Sequence, residues 1–211
     1  MEACRRLAAK GFLNSAANSF SMRIPGTVEM ILVSGLEDWE QIGAADLQRA
    51  SLLAGDGPPG LHASIYQSRA DVGAIAITSP KGVRLLARLG LRLPPLFDEQ
   101  VRHLGSSVRP LPDLEKVSRE MLRKAFLRGA NAAVLGEQLL CLGMTCGRLL
   151  FNTELYEKCA QAYVLAKASG ARIKFIPLWV RLIAYWRLLN DERRADACYR
   201  TGEVPGSIQA Y

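Results

Sequence analysis

The chain has 211 residues, 49% of them apolar and 22% charged, the mix of one ordinary globular domain, which excludes the disordered and fibrous classes. The formal net charge is +7, but the 27 Lys and Arg are spread along the whole length, without a basic run of five, an aromatic-interleaved motif or a zinc-finger spacing. That pattern argues against nucleic-acid binding and suits small phosphorylated or carboxylated metabolites. Five scattered cysteines (Cys4, Cys141, Cys146, Cys159, Cys198) argue against a disulfide framework and for reduced thiols. The most apolar stretch, residues 175–189, is broken by Arg181 and Arg187 and is too short to cross a bilayer. Residues 1–18 lack the continuous apolar core of a signal peptide, so the expected compartment is the cytoplasm.

In chain order, Leu7, Ala8, Phe12 and Leu13 make a short helical face before a polar loop at 14–19. Residues 20–24 and 28–33 read as a hairpin about Pro25-Gly26. After the Gly-rich turn at 55–60, Leu61, Ile65 and Tyr66 share one side of a helix. Residues 72–78 form a continuous apolar run of strand length, the mark of a strand covered on both faces. Ser79-Pro80 opens a helix carrying Val83, Leu85, Leu86 and Leu89, stopped by Gly90. Residues 114–128 read as one amphipathic helix. Residues 132–135 and 138–142 read as strands, and 153–169 as the longest helix, ended by Gly170. Alternating helices and apolar strands define an α/β domain.

Several segments, in order and at consistent spacing, resemble the class II aldolase/adducin family. Asn18-Ser19-Phe20-Ser21-Met22-Arg23 is similar to that family's G-N-x-S-x-R segment, and Ile31-Leu32-Val33-Ser34-Gly35 to its strand ending in S-G. The run from Leu61 to Arg69 resembles the L-H-x-x-I-Y-x-x-R helix, and Val72-Gly73-Ala74-Ile75-Ala76 the strand after it. Gly143-Met144-Thr145 and the helix with Leu155, Glu157 and Ala160 resemble the last turn and its L-E-x-x-A helix. The resemblance implies a single-domain, three-layer α/β/α fold with a mainly antiparallel central sheet over residues 1–177. Residues 178–211 are then a C-terminal helical extension, packed on the domain or on a neighbouring subunit. It also implies a homo-oligomer, a tetramer about a four-fold axis with the cleft between neighbours.

The same resemblance marks what is missing. Family enzymes hold a divalent metal through an H-x-H at the end of the central strand and a third His on a later strand. Here Ile77 and Ser79 stand at the paired positions, and Glu137 or Gln138 at the third. Zinc needs three or four converging N, S or O donors, and Ile has none. The family's acid/base Glu falls at Pro58, and a general base must carry a titratable group. The phosphate-binding serines of that segment are absent too. No metal or other cofactor is therefore expected.

The expected reading is a catalytically degenerate member with a binding or assembly role, as the adducin head exemplifies. The alternative is a metal-independent lyase or isomerase acting on a small carbonyl or phosphorylated metabolite. Family position assigns Ser19, Ser21, Ser34, Gly35, His62, Ser79 and Glu137 to the pocket. A protein partner is left open. His103, after Asp98 and Glu99, reads as an ordinary solvated histidine in a loop, and the cysteines as small buried hydrophobes.

Overall fold

The computed structural model describes residues 1–55, 57–170 and 172–206. Helix α1 (Glu2–Ala9) leads through the polar loop to β1 (Ser19–Arg23) and β2 (Glu29–Ser34), which pair antiparallel about the turn at Gly26. Then follow β3 (Gln48–Ser51), α2 (Gly57–Ser68), β4 (Ala74–Thr78) and α3 (Lys81–Arg88). Next come α4 (Asp98–Leu104), β5 (Arg109–Leu111), α5 (Arg119–Ala125), β6 (Ala132–Leu135) and β7 (Gln138–Gly143). Two 23-residue helices, α6 (Cys146–Ala168) and α7 (Leu178–Arg200), complete the chain's described elements.

The strands form one seven-stranded sheet in the order β3-β2-β1-β4-β7-β6-β5, antiparallel except at the β5/β6 edge. Side chains alternate between its faces. Ala74 and Ala76 of β4, with Leu139 and Cys141 of β7, pack with residues of α1, α3 and α6. Ile75 and Ile77, with Leu140 and Leu142, pack with residues of α2 and α5. Helices thus cover both faces, giving the three-layer α/β/α arrangement with its mainly antiparallel sheet. β4 is buried at every position, as its unbroken apolar run requires.

Three expectations change. Residues 114–128 are not one helix: a 3-10 turn, Leu114–Lys116, is followed by an extended Val117 and by α5. The cause is Ser118, whose Oγ accepts the Met121 N–H at 3.2 Å and caps a new helix start. The long helix α6 begins seven residues early, at Cys146, because Thr145 Oγ accepts the Arg148 N–H at 3.2 Å. His103 is neither solvated nor in a loop. It lies on α4, 4% exposed, with its ring edge-on to Phe151 and in contact with the Arg148 guanidinium. The five cysteines are free, three of them buried and two half-buried.

Helix α7 is clamped to the domain by buried charge. Arg69 lies between Asp71, at 2.6 Å, and Glu192 of α7, at 2.9 Å, and donates also to the Ala130 carbonyl. Glu192 accepts the Gly129 N–H at 2.8 Å. Gly129 has φ +79°, and a Cβ there would collide with the Tyr185 ring, so only glycine lets α7 approach. One guanidinium shared by two carboxylates leaves Glu192 buried and beside a like charge, and burial pushes its pKa up to about 7. Residues 207–211 of the expected extension lie outside the described residues.

Candidate functional site

At one end of the sheet, three residues stand side by side across neighbouring strands: Ser34 on β2, Ser19 on β1 and Ile77 on β4. They line a cavity of about 670 Å³. Ala17, Asn18 and Gly35 add the loop edges, and Gly57, Pro58 and Leu61 bring the start of α2 to the opposite wall. Gly35, with φ +76°, turns the chain out of β2 at the rim. The wall is completed by Leu114, Val117 and Leu122, with Ser118, Arg119 and Glu115 as its polar members.

Of the residues assigned from family position, Ser19, Ser34 and Gly35 line this cavity. His62 and Ser21 lie directly behind Ser19. His62, on the buried face of α2, is held at both ring nitrogens, with Nε2 2.9 Å from Ser19 Oγ and Nδ1 2.7 Å from Ser21 Oγ. Ser21 Oγ is in turn 2.9 Å from the Tyr66 hydroxyl. Burial lowers the His62 pKa to about 3, so the ring is neutral at physiological pH. Ser79 follows β4, and its Oγ accepts the Asn18 side-chain N–H at 2.9 Å.

Glu137 is placed elsewhere. It pairs with Arg88 on the surface at 2.9 Å and lines a separate cavity of about 450 Å³ with Leu86, Arg92 and Tyr156. The Arg88 guanidinium holds its carboxyl below the usual range. Its neighbour Gln138 turns the other way and donates from Nε2 to the carbonyl of Ala17, beside the first cavity. Of the two residues left open for the third metal-ligand position, Gln138 bonds to a residue of this cavity's wall and Glu137 does not.

Arg23, retained in the motif, does not reach the cavity. It donates to the Tyr66 and Arg69 carbonyls and stacks over the Tyr66 ring at 5.0 Å. Sequence reasoning missed Ser118 and Arg119, because residues 114–128 read as a continuous helix. The signal was a serine followed by Arg-Glu ahead of an apolar pair, a helix start.

The residues present do not fit a divalent metal. Ile77 has no donor atom, Ser79 Oγ is engaged by Asn18, and Gln138 offers only a neutral amide oxygen, so three converging strong donors are lacking. No group of three or more His, Cys, Asp or Glu able to hold a metal occurs among the described residues. Pro58 stands in the cavity wall without a titratable group.

The topology and this pocket place the chain among the class II aldolase-like α/β folds. Its sequence matches the Class II Aldolase and Adducin N-terminal domain over residues 1–164, and the chain belongs to that family. Among solved structures, an L-fuculose 1-phosphate aldolase from Glaciozyma antarctica PI12 is similar at TM-score 0.70 and 17% identity, over 94% of this chain and 86% of that one. A further L-fuculose 1-phosphate aldolase aligns at 0.74 and 20%, over 88% and 92%. The L-fuculose-1-phosphate aldolase of Thermus thermophilus aligns at 0.65 and 23%, over 81% and 95%. At these identities the likeness concerns the fold. None of the curated proteins matches the chain. No helix among the described residues is long and apolar enough to cross a membrane.

Proposed function

We propose that this chain is a catalytically degenerate class II aldolase-fold protein, which binds a small anionic metabolite in the cavity without metal-dependent aldol chemistry. The observation that carries the reading is Ile77. An aliphatic side chain occupies the cavity wall level with Ser19, where the family resemblance places the first metal-holding imidazole. The polar residues that remain, Ser19, Ser34, Ser118 and Arg119, suit a phosphate or carboxylate. Glu115 in the same wall would oppose a multiply charged ligand, so a single anionic group on an otherwise apolar small molecule fits best.

The protein acts as a homo-oligomer, a tetramer by family resemblance. Supporting this, the first half of α7 exposes Leu178, Trp179, Leu182, Ile183 and Trp186. Apolar side chains so arranged at helical spacing suit a contact with another copy.

Thermal denaturation tests the reading. Orthophosphate, simple carboxylates or sugar phosphates at concentrations well above Kd should raise the melting temperature. At one hundred times Kd the gain is about 2.7 kcal/mol. Stoichiometric zinc in the purified protein, together with metal-dependent retro-aldol turnover, would overturn it.

A further inference from the structure

The hydrogen-bonded chain behind the cavity has a direction that its proton count determines. It runs Tyr66–Ser21–His62–Ser19 through three links, of 2.9, 2.7 and 2.9 Å. Each of the four side chains is neutral. Burial holds His62 deprotonated and keeps the Tyr66 phenol protonated. A neutral tyrosine, two serines and an imidazole carry four polar hydrogens, and three links use three of them. One hydrogen is left over. It is not that of Ser21, which is fully buried and whose Oγ meets only the His62 ring and the Tyr66 hydroxyl among the described residues, so it sits at one end.

At the Tyr66 end it has no acceptor. Tyr66 is 2% exposed, and Ser21 Oγ is the one acceptor that its hydroxyl meets among the described residues. The backbone N–H of Arg23 also faces the phenol oxygen, but as a donor. The charged group over the ring is the Arg23 guanidinium, which cannot accept either. A buried donor without a partner is costly, so the Tyr66 hydroxyl donates to Ser21. Ser21 then donates to Nδ1 of His62, and Nε2 carries the ring proton and donates to Ser19 Oγ. The remaining hydrogen belongs to Ser19, in the cavity wall.

We propose that this relay holds His62 as its Nε2–H tautomer and so makes Ser19 a fixed hydrogen-bond donor aimed into the cavity, a receiver for a phosphoryl or carboxylate oxygen. Ser21, His62 and Tyr66 are positioning residues. The four donors point the same way, so each polarises the next toward the ligand oxygen. The same direction excludes Ser19 as a nucleophile activated by His62, because Nε2 is already protonated and cannot take the hydroxyl proton.

The ligand part of this inference rests on the proposed binding function, whereas the tautomer part does not. Nitrogen-15 NMR of the ligand-free chain reads the tautomer directly. We expect Nε2 protonated and Nδ1 bare in the wild type, since Tyr66 and Ser21 can donate in one direction only. In Ser21→Ala that preference should be lost. Orthophosphate and acetate titrations then read the donor, and tell a phosphoryl from a carboxylate preference. Ser19→Ala should weaken the better ligand roughly tenfold or more, the scale for one hydrogen bond to a charged group. An Nδ1–H tautomer in the wild type overturns the relay, whatever binds. Unchanged affinity in Ser19→Ala overturns the donor role. If neither anion binds but Nε2 is protonated, the binding function fails while the relay's direction stands.

Discussion

The Asn18 side chain donates to Ser79 Oγ across 2.9 Å of buried space, tying the loop before β1 to the residue after β4. Asn18 Oδ1 is occupied as well, by the backbone N–H groups of Asn14 at 2.8 Å and Ser15 at 3.1 Å. Ser79 also donates its own N–H to the Phe12 carbonyl. Two positions in the family-like motifs are thus engaged in holding the loop that forms the cavity edge. Asn18→Ala would strip two backbone donors of their acceptor and Ser79 Oγ of its donor at once, and should cost about 2–3 kcal/mol. Ser79→Ala removes one bond and should cost about 1 kcal/mol. Urea midpoints at constant m-value check both.

A second expectation concerns the outer face of α7. Trp179 is 65% and Trp186 61% exposed, although the buried side of the same helix is fastened through Leu188, Glu192 and Ala195. Trp179→Glu with Trp186→Glu should therefore convert an oligomer to monomer in sedimentation, while changing subunit stability by less than about 1 kcal/mol. A wild-type chain that sediments as a monomer at micromolar concentration would remove the basis for the assembly.

Much of this fold is legible in the sequence, and the parts that are not share physical causes. The hairpin at Pro25-Gly26 and the buried strand β4 follow from local pattern. The edge strands β3 and β5 do not. Gln48-Arg49-Ala50-Ser51 is polar and largely exposed, and β5 is three residues long, so neither carries an alternation to read. Helix α4 hides its buried Val101 and Leu104 among Asp98, Glu99 and Arg102, so local pattern gives no sign that His103 is buried. At the site, Ser19 and Ser21 alternate onto one face of β1, visibly enough. That His62 bridges them depends on α2 crossing the sheet, a tertiary fact. Glu137 and Gln138 part company because Glu137 lies in the turn between β6 and β7 and pairs with Arg88, whereas Gln138 is the first residue of β7 and reaches Ala17, and no local pattern in the sequence marks that boundary.

Acid stability follows from three buried groups. His62 and His103 fall to about 3 from 6.5, the first through burial and the second through burial and the nearby Arg148 and Arg102 charges. Their stabilising contribution is present above pH 6.5 and is lost as pH falls, because the unfolded chain takes up two protons that the folded chain refuses. Glu192, raised from 4.5 to about 7, works in the opposite direction, since the folded chain protonates it first. Between about pH 6 and 5 the unfolded state is ahead by about one proton net, and stability should fall by about 1.4 kcal/mol per pH unit on acidification. Glu192→Gln should steepen this to about two protons, and His103→Gln should flatten it. Chemical denaturation across that pH window gives the slopes.

Restoring the paired imidazoles should not restore an aldolase. Cleaving a carbon–carbon bond beside a carbonyl leaves an enolate, and in the family a metal holds its oxygens. Losing that stabilisation costs several kcal/mol, or several factors of ten in rate. Ile77→His with Ser79→His would supply two donors, but Glu137 or Gln138, neither of them an imidazole, stands at the third position by family resemblance; Glu137 is held by Arg88 and Gln138 by Ala17. The Ser79 substitution also strips Asn18 of its acceptor. Even with metal bound, Pro58 provides no acid/base group, a deficit worth typically about 10²–10⁴-fold. The two deficits belong to one mechanism and need not multiply, yet either suffices to make turnover hard to detect. The double variant should therefore show no retro-aldol cleavage of fuculose-, rhamnulose- or ribulose-phosphate with added zinc, manganese or cobalt. Adding Glu137→His or Gln138→His, together with Pro58→Glu, is the minimum set that could change this result. Turnover near about 1 s⁻¹ in the unmodified chain, the low end of ordinary enzymes, would mean that other residues supply both functions, and the lyase or isomerase alternative would then replace the degenerate one.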